Sequence, residues 1–263
     1  DNAAFRAYVL GEIAARGPLR SRELDDRAEV PWQTGGWNDG KNVGRMLELL
    51  WRAGEIAIAR REGAQRVWDL FERVLPAGEP PADEIVAIEL MERQLRAAGL
   101  VQSGWGTALD YRLPGREVGE DSLRGDGIAV PVAVEGLPGE WLAQRDLLEA
   151  LDQGAWEPRT TLLGPFDPLI ADRERTAALF GFSYRFELYI PAARREFGPY
   201  TLVLLDGEAL IGRVVAEVDR RRGELRVRGV HLVPGVAPAA GRRAERAIGE
   251  LAEWLGVRPI GLR

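Results

Sequence analysis

Residues 162–214, LLGPFDPLIADRERTAALFGFSYRFELYIPAARREFGPYTLVLLDGEALIGRV, leave this chain few ways to fold. Asp167 before Pro168 reads as a helix N-cap followed by proline at the first helical position, where its missing N–H is not needed. Asp172 opens a second helix through Phe180, and Gly181 supplies its left-handed stop. Tyr184, Phe186, Leu188 and Ile190 then alternate with Ser183, Arg185, Glu187 and Tyr189, which predicts a half-buried strand ending at Pro191. Thr201 to Leu205 and Glu208 to Val218 flank Asp206-Gly207, a strong two-residue hairpin signal. An antiparallel sheet domain is therefore expected from about Thr160 onward.

The rest of that domain follows from the same kind of reading. Arg220-Arg221-Arg222-Gly223 turns Val218 into Leu225, and Gly229 interrupts the alternation of Leu225 and Val227 so that a bulge is expected there, with Val230 and Leu232 as the next apolar set. A helix from about Ala239 to Leu255 buries an alanine-rich face, and Val257 to Leu262 can add a last strand.

Toward the N-terminus, Ala3 to Arg16 forms a helix with Phe5, Val9 and Ile13 on one face, stopped by Gly17-Pro18. Ser21 is expected to cap a short second helix through Arg27. A third, from near Asp39, places Val43, Met46, Leu47 and Leu50 inward and stops at Gly54. Ile56 and Ile58 pair across Arg60-Arg61-Glu62-Gly63 with Val67 to Leu70, with Trp68 turned inward. Three helices and then a hairpin is the winged-helix order. After the stiff linker Pro76 to Pro81, Asp83 to Ala98 is a helix carrying Ile85, Ile88, Met91, Glu92 and Leu95 along one face. Short helices are expected at Thr107 to Leu113 and Val118 to Leu123. An edge strand broken by Pro131 follows, then a return at Trp141-Leu142 and a closing helix from Leu147 to Leu151. The expected fold class is α+β: tandem winged-helix domains at 1–76 and 82–155, the second diverged, then a curled antiparallel sheet domain with packed helices at 160–263.

The run from PFDP through LFGFSYRFELY to IGRV resembles the corresponding part of the winged-helix DNA glycosylases that repair bulky alkylation damage and interstrand crosslinks, the YcaQ and AlkZ type. The likeness continues through Ala216 to Arg220 and His231 to Pro234, and reaches upstream to Gly17-Pro18-Leu19. It implies double-stranded DNA as the partner and hydrolysis of N-glycosidic bonds of alkylated purines without metal or cofactor. It also implies a catalytic Gln-apolar-Gln or Gln-apolar-Asp motif upstream of this chain. The chain opens on Asp1 without a methionine, so a fragment or processed piece is expected, one inactive by itself. Gln144-Arg145-Asp146 has arginine at its centre and reads as a coincidence on a surface helix.

Composition excludes several chemistries. With no cysteine and a single histidine, His231, a disulfide framework and a Cys–His nucleophile are impossible, and a zinc site has too few of its usual ligands. No G-x-S-x-G elbow accompanies His231. No apolar run approaches the roughly 18 residues of a membrane span, and no signal pattern opens the chain, so a cytoplasmic protein is expected. The net charge of −6 argues against indiscriminate coating of nucleic acid and leaves DNA contact to local clusters.

Those clusters are Lys41 and Arg45, with Asn38 and Asn42, on the third helix; Arg60, Arg61 and Arg66 at the wing; and Arg220, Arg221 and Arg222 at the later hairpin tip. A third helix in the major groove and an arginine finger on phosphate or in the minor groove would use them. Each also reads as an ordinary solvated face, and the finger as a turn that discourages sheet-edge pairing. Asp167 and Asp172 are acidic candidates already explained by capping. The first reading is the DNA-binding and scaffold portion of a repair glycosylase; the alternatives are a non-catalytic winged-helix regulator and a protein-interaction module.

Overall fold

A computed structural model describes residues 1–32, 41–79, 81–104, 111–113 and 116–261, in two compact units that divide at Pro80 and Pro81. The expectations for Trp37, Asn38, Asp39 and residues 107–110 lie outside the described residues.

The first unit begins with α1, Ala3–Arg16, whose Phe5, Val9 and Ile13 are fully buried at helical spacing. Gly17, at φ 82°, ends it in a conformation that a side chain would strain. Then come β1 (Leu19–Arg20), a single 3₁₀ turn at Ser21–Glu23, α2 (Asn42–Arg52), β2 (Ile56–Glu62), β3 (Gln65–Leu70) and the short α3 (Phe71–Val74). The sheet order is β1-β3-β2. Trp68, 4 % exposed, sits on the central strand opposite Leu19 on one side and Ile58 on the other.

The helix expected from Ser21 to Arg27 is only that 3₁₀ turn. Glu23 accepts the Arg20 N–H at 2.9 Å, Leu24 is extended, and Asp26 captures the Ala28 N–H at 3.1 Å, so local side-chain bonds replace helical ones. The hairpin turns at Gly63-Ala64 rather than at the arginines, because Glu62 still pairs with Gln65; Arg60 and Arg61 are strand residues.

The second unit opens with α4, Asp83–Ala98, which buries Ala87, Met91 and Leu95. That stripe turns Ile85 outward, 59 % exposed, against the expected inward face. Next are β4 (Leu100–Gln102), β5 (Tyr111–Leu113), β6 (Arg116–Val118), α5 (Glu120–Gly125), β7 (Ala129–Val132), β8 (Trp141–Gln144) and α6 (Arg145–Asp152). The described part of the helix expected at 107–113 is strand, paired with β6, and the helix expected from Val118 starts at Glu120 after an extended Gly119. Pro114-Gly115 is, in the sequence, a turn signal that competes with a helix over 107–113. Pro131 does lie on an edge strand, in the order β4-β8-β7, where its missing N–H breaks no ladder.

The larger sheet comprises β9 (Thr160–Leu163), β10 (Thr201–Asp206), β11 (Ala209–Asp219), β12 (Glu224–Leu232) and β13 (Arg258–Ile260), ordered β13-β12-β11-β10-β9. Between β9 and β10 lie α7 (Pro168–Ala171), α8 (Arg173–Phe180) and a 3₁₀ turn at Ala192–Arg194. The long α9, Ala239–Trp254, separates β12 from β13 and brings the chain back in the same direction, so this last pair is parallel rather than antiparallel. Ala240, Ala244 and Ala247 of α9 pack with Leu204 and Ile211, and Ile248 and Ala252 with Val214 and Leu225. Val203 and Leu210, pointing the other way, share a core with Ile170, Phe182 and Tyr184. The β11–β12 register shifts between Val215 and Ala216, leaving Arg228 unpaired next to the predicted Gly229; Val230 and Leu232 beyond it are partly exposed, not buried.

The strand expected over residues 183–190 does not form. Its alternation survives from Phe182 to Phe186, but β9 already holds that edge of β10, and the segment's backbone is bound by side chains instead.

Candidate nucleic-acid interface

In the first unit, α2 and the β2–β3 hairpin enclose a concavity of about 350 Å³ lined by Lys41, Arg45, Glu48, Gln65, Arg66 and Trp68. Three of the expected cations thus converge. Arg45 reaches Glu48 at 3.5 Å, while its solvent-excluded Nε has no partner among the described residues. The Arg66 guanidinium stands 5.7 Å from the ring centroids of both Trp51 and Trp68, a cation–π arrangement that orders it.

The other wing arginines differ from this group. Arg60 grips Glu62 at 3.0 and 2.6 Å, and Arg20 binds the same carboxylate at 2.9 Å. The Arg60 hydrogen bond, with Arg20 nearby, holds the Glu62 carboxyl below its ordinary range, so this local neutralisation persists at neutral pH. Arg61 is exposed without a partner among the described residues. Asn42, expected on the DNA-facing side, is 7 % exposed; it accepts the Trp32 N–H at 3.0 Å and donates to Asp26 at 2.9 Å, an anchor for α2.

In the second unit, Asp219 accepts the N–H groups of Arg221 and Arg222 at 3.1 and 3.2 Å, and Gly223 at φ 64° closes the turn. Both hydrogen bonds fix backbone. The Arg220 and Arg221 guanidinium groups have no partner among the described residues, and Arg222 comes only within 4.0 Å of Asp219. Further down, Arg226 binds Asp219 and Glu224 at 3.1 and 3.3 Å, and Arg228 binds Glu217 at 2.6 Å. The hairpin thus carries free cations at its tip and paired cations along its stem. The alternation of Leu225 and Val227 with Arg226 and Arg228 was the signal for this second pair.

Other candidates resolve into structural roles. Asp167 accepts the Leu169 N–H at 2.9 Å and Asp172 that of Arg175 at 3.0 Å, both as N-caps. Gln144 is not on a surface helix: it ends β8 at 2 % exposure, with its amide oxygen turned to accept from Arg96 at 2.8 Å, and Asp146 binds the same arginine at 2.9 Å. His231 is exposed, edge-on to Phe197 at 5.2 Å between centroids. Among the described residues, no cluster of three or more His, Cys, Asp or Glu could hold a metal ion, and no helix is long and apolar enough to cross a membrane.

A network that the sequence pattern concealed holds residues 182–198. Glu187, 5 % exposed, accepts the N–H groups of Glu196, Phe197 and Gly198 at 2.9, 3.0 and 2.9 Å. Arg195 donates in the opposite direction, to the carbonyls of Glu187, Ile190 and Leu188 at 3.1, 2.8 and 3.2 Å. Arg213 lies between Phe182 and Phe197, 4.5 and 4.6 Å from their centroids, and donates to the Ser183 carbonyl.

The family model described as DNA glycosylase AlkZ-like matches residues 1–254. Among solved structures the chain is similar to the Streptomyces sahachiroi DNA glycosylase AlkZ, with 18 % identity and a TM-score of 0.49 over 83 % of this chain and 56 % of that one. The chain therefore spans little more than half the length of that relative. The family match, which runs through both units, is the broader of the two findings, and by it the chain belongs to the AlkZ-like DNA glycosylase family.

Proposed function

We propose that this chain is the DNA-binding and scaffold portion of a DNA repair glycosylase acting on alkylated or crosslinked purines in duplex DNA, with residues 1–76 and 82–155 as winged helices and 160–263 as the sheet domain. The observation that carries the DNA-binding role is the cationic tip at Arg220, Arg221 and Arg222, where the first two guanidinium groups have no partner among the described residues and the third only a 4.0 Å approach to Asp219, presented by a fixed turn on a chain of net charge −6. Only locally concentrated charge draws such a protein to DNA. The concavity holding Lys41, Arg45 and Arg66 supports a second contact with the phosphate backbone.

A glycosylase must unstack its base and place a polar group beside the developing sugar cation. Asp167, Asp172, Glu187 and Gln144 are each committed to the fold by their hydrogen bonds, which supports the scaffold reading of this portion. Replacing Arg221 and Arg222 together by alanine should weaken duplex binding whatever its sequence. It should also flatten log K against log salt by up to about two units, at roughly 0.9 per lost phosphate contact. Thermal stability should change little, because both side chains are exposed. Unchanged affinity and slope would return the hairpin to a solvated turn.

A further inference from the structure

The most exposed large aromatic residues near the bound 182–198 segment surround a single ring. Phe186 is half-buried; Phe166, Tyr189 and Tyr200 stand around it at centroid distances of 5.2, 6.1 and 5.9 Å and interplanar angles of 64°, 80° and 83°. Those outer residues are 71 %, 78 % and 43 % exposed. Phe166 comes from the turn preceding α7, Tyr189 from the segment fastened by Glu187 and Arg195, and Tyr200 from the residue before β10.

A contiguous exposed apolar patch on a folded chain marks an interaction or ligand-binding site. The Glu187 carboxylate binds three N–H groups on one arm of the loop, and Arg195 binds three carbonyls on the other, so the segment carrying Tyr189 is fixed in place by two oppositely charged side chains. The tyrosine hydroxyls of residues 189 and 200 have no hydrogen bond among the described residues, and the same loop exposes two arginines, Arg185 and Arg194, against one carboxylate, Glu196. Aromatic faces, spare hydroxyl donors and neighbouring cations suit a nucleobase with its phosphate better than an aliphatic protein surface.

We infer that Phe166, Tyr189 and Tyr200, arranged around Phe186, form a stacking platform for an unpaired nucleobase of DNA. The inference rests on the DNA-binding reading above and adds to it a contact for the base that leaves the stack. Stacking on an aromatic side chain is worth about 1–3 kcal/mol per base, which corresponds to about fivefold in affinity at the lower end.

The test uses two duplexes of one sequence, with 2-aminopurine either paired with thymine or unpaired in a single-nucleotide bulge. The full chain should bind the bulged duplex about fivefold or more tightly and quench its fluorescence. Phe166→Ala and Tyr189→Ala should each lose the preference and the quenching while keeping the affinity for the paired duplex and the melting temperature. Tyr189→Phe should retain the quenching. Equal affinity for the two duplexes, as expected of a surface meant for a protein, would overturn the platform and leave duplex binding standing. A preference that survives both alanine substitutions would also overturn it. Failure to bind either duplex would overturn the platform together with the DNA-binding reading.

Discussion

Replacing Trp68 by alanine should destabilise the first unit by roughly 3–5 kcal/mol, the range for deleting a large buried aromatic side chain. Trp68 is 4 % exposed on the central strand and shares a core with Phe5, Val9, Ile13 and Leu47. Its neighbours come from three directions: Leu19 across one ladder, Ile58 across the other, and Trp51 of α2 edge-on at 6.3 Å. A cavity there cannot be filled without moving a strand or a helix, which places the expected loss in the upper part of that range. The substitution also removes one of the two rings that order Arg66, so the cationic concavity should weaken with the core. Denaturant unfolding gives the measurement, and a loss below about 1 kcal/mol would contradict this packing.

The second large effect is expected at Glu187. Replacing it by alanine leaves three partly buried N–H groups without their acceptor. At about 1–3 kcal/mol for each unsatisfied buried donor, discounted for water that can enter, a loss of roughly 3 kcal/mol is expected. Burial pushes the Glu187 carboxyl upward, but the three backbone N–H groups, with Arg185 nearby, outweigh it and leave the group below its ordinary value. Since the folded pKa is the lower one, the ionised carboxylate contributes its full stability above the unfolded value of about 4.3, and this is lost as pH falls through the folded value. The amides of Glu196, Phe197 and Gly198 should therefore lose hydrogen-exchange protection on acidification. Glu187→Gln should flatten that pH dependence. Protection that is the same in the wild type and Glu187→Gln across the acid range would show that the carboxylate does not hold the loop.

These two residues also mark what the sequence pattern discloses. Trp68 was legible because its pairing with Ile58 follows from a local hairpin with apolar residues at positions 56, 58, 68 and 70. The caps at Asp167 and Asp172 and the stop at Gly181 were legible for the same reason, since each is decided within four residues. Glu187 was not: it fell on the polar side of an alternating run, where a solvated strand face is the ordinary reading, and its partners lie 9 to 11 residues later. Asn42 was concealed similarly, because its anchors Trp32 and Asp26 are 10 and 16 residues away. The parallel pairing of β13 depends on α9 as a crossover, which no pattern within residues 257–262 contains. Of the candidate cations, position along the chain grouped Lys41 with Arg45 and Arg220 with Arg221 and Arg222. Their free or paired state, which separates Arg61 from Arg60, needed the neighbouring carboxylates in space.

The most direct measurement is duplex binding as a function of salt, by fluorescence anisotropy, for the wild type and for a variant in which Arg45, Arg66, Arg221 and Arg222 are all alanine. The wild type should bind despite its net charge of −6, with a log–log slope reflecting several phosphate contacts at roughly 0.9 each. The variant should lose most of both affinity and slope. Absence of wild-type binding at low salt, or a variant with the wild-type affinity and slope, would contradict the assignment of DNA binding to these two basic regions.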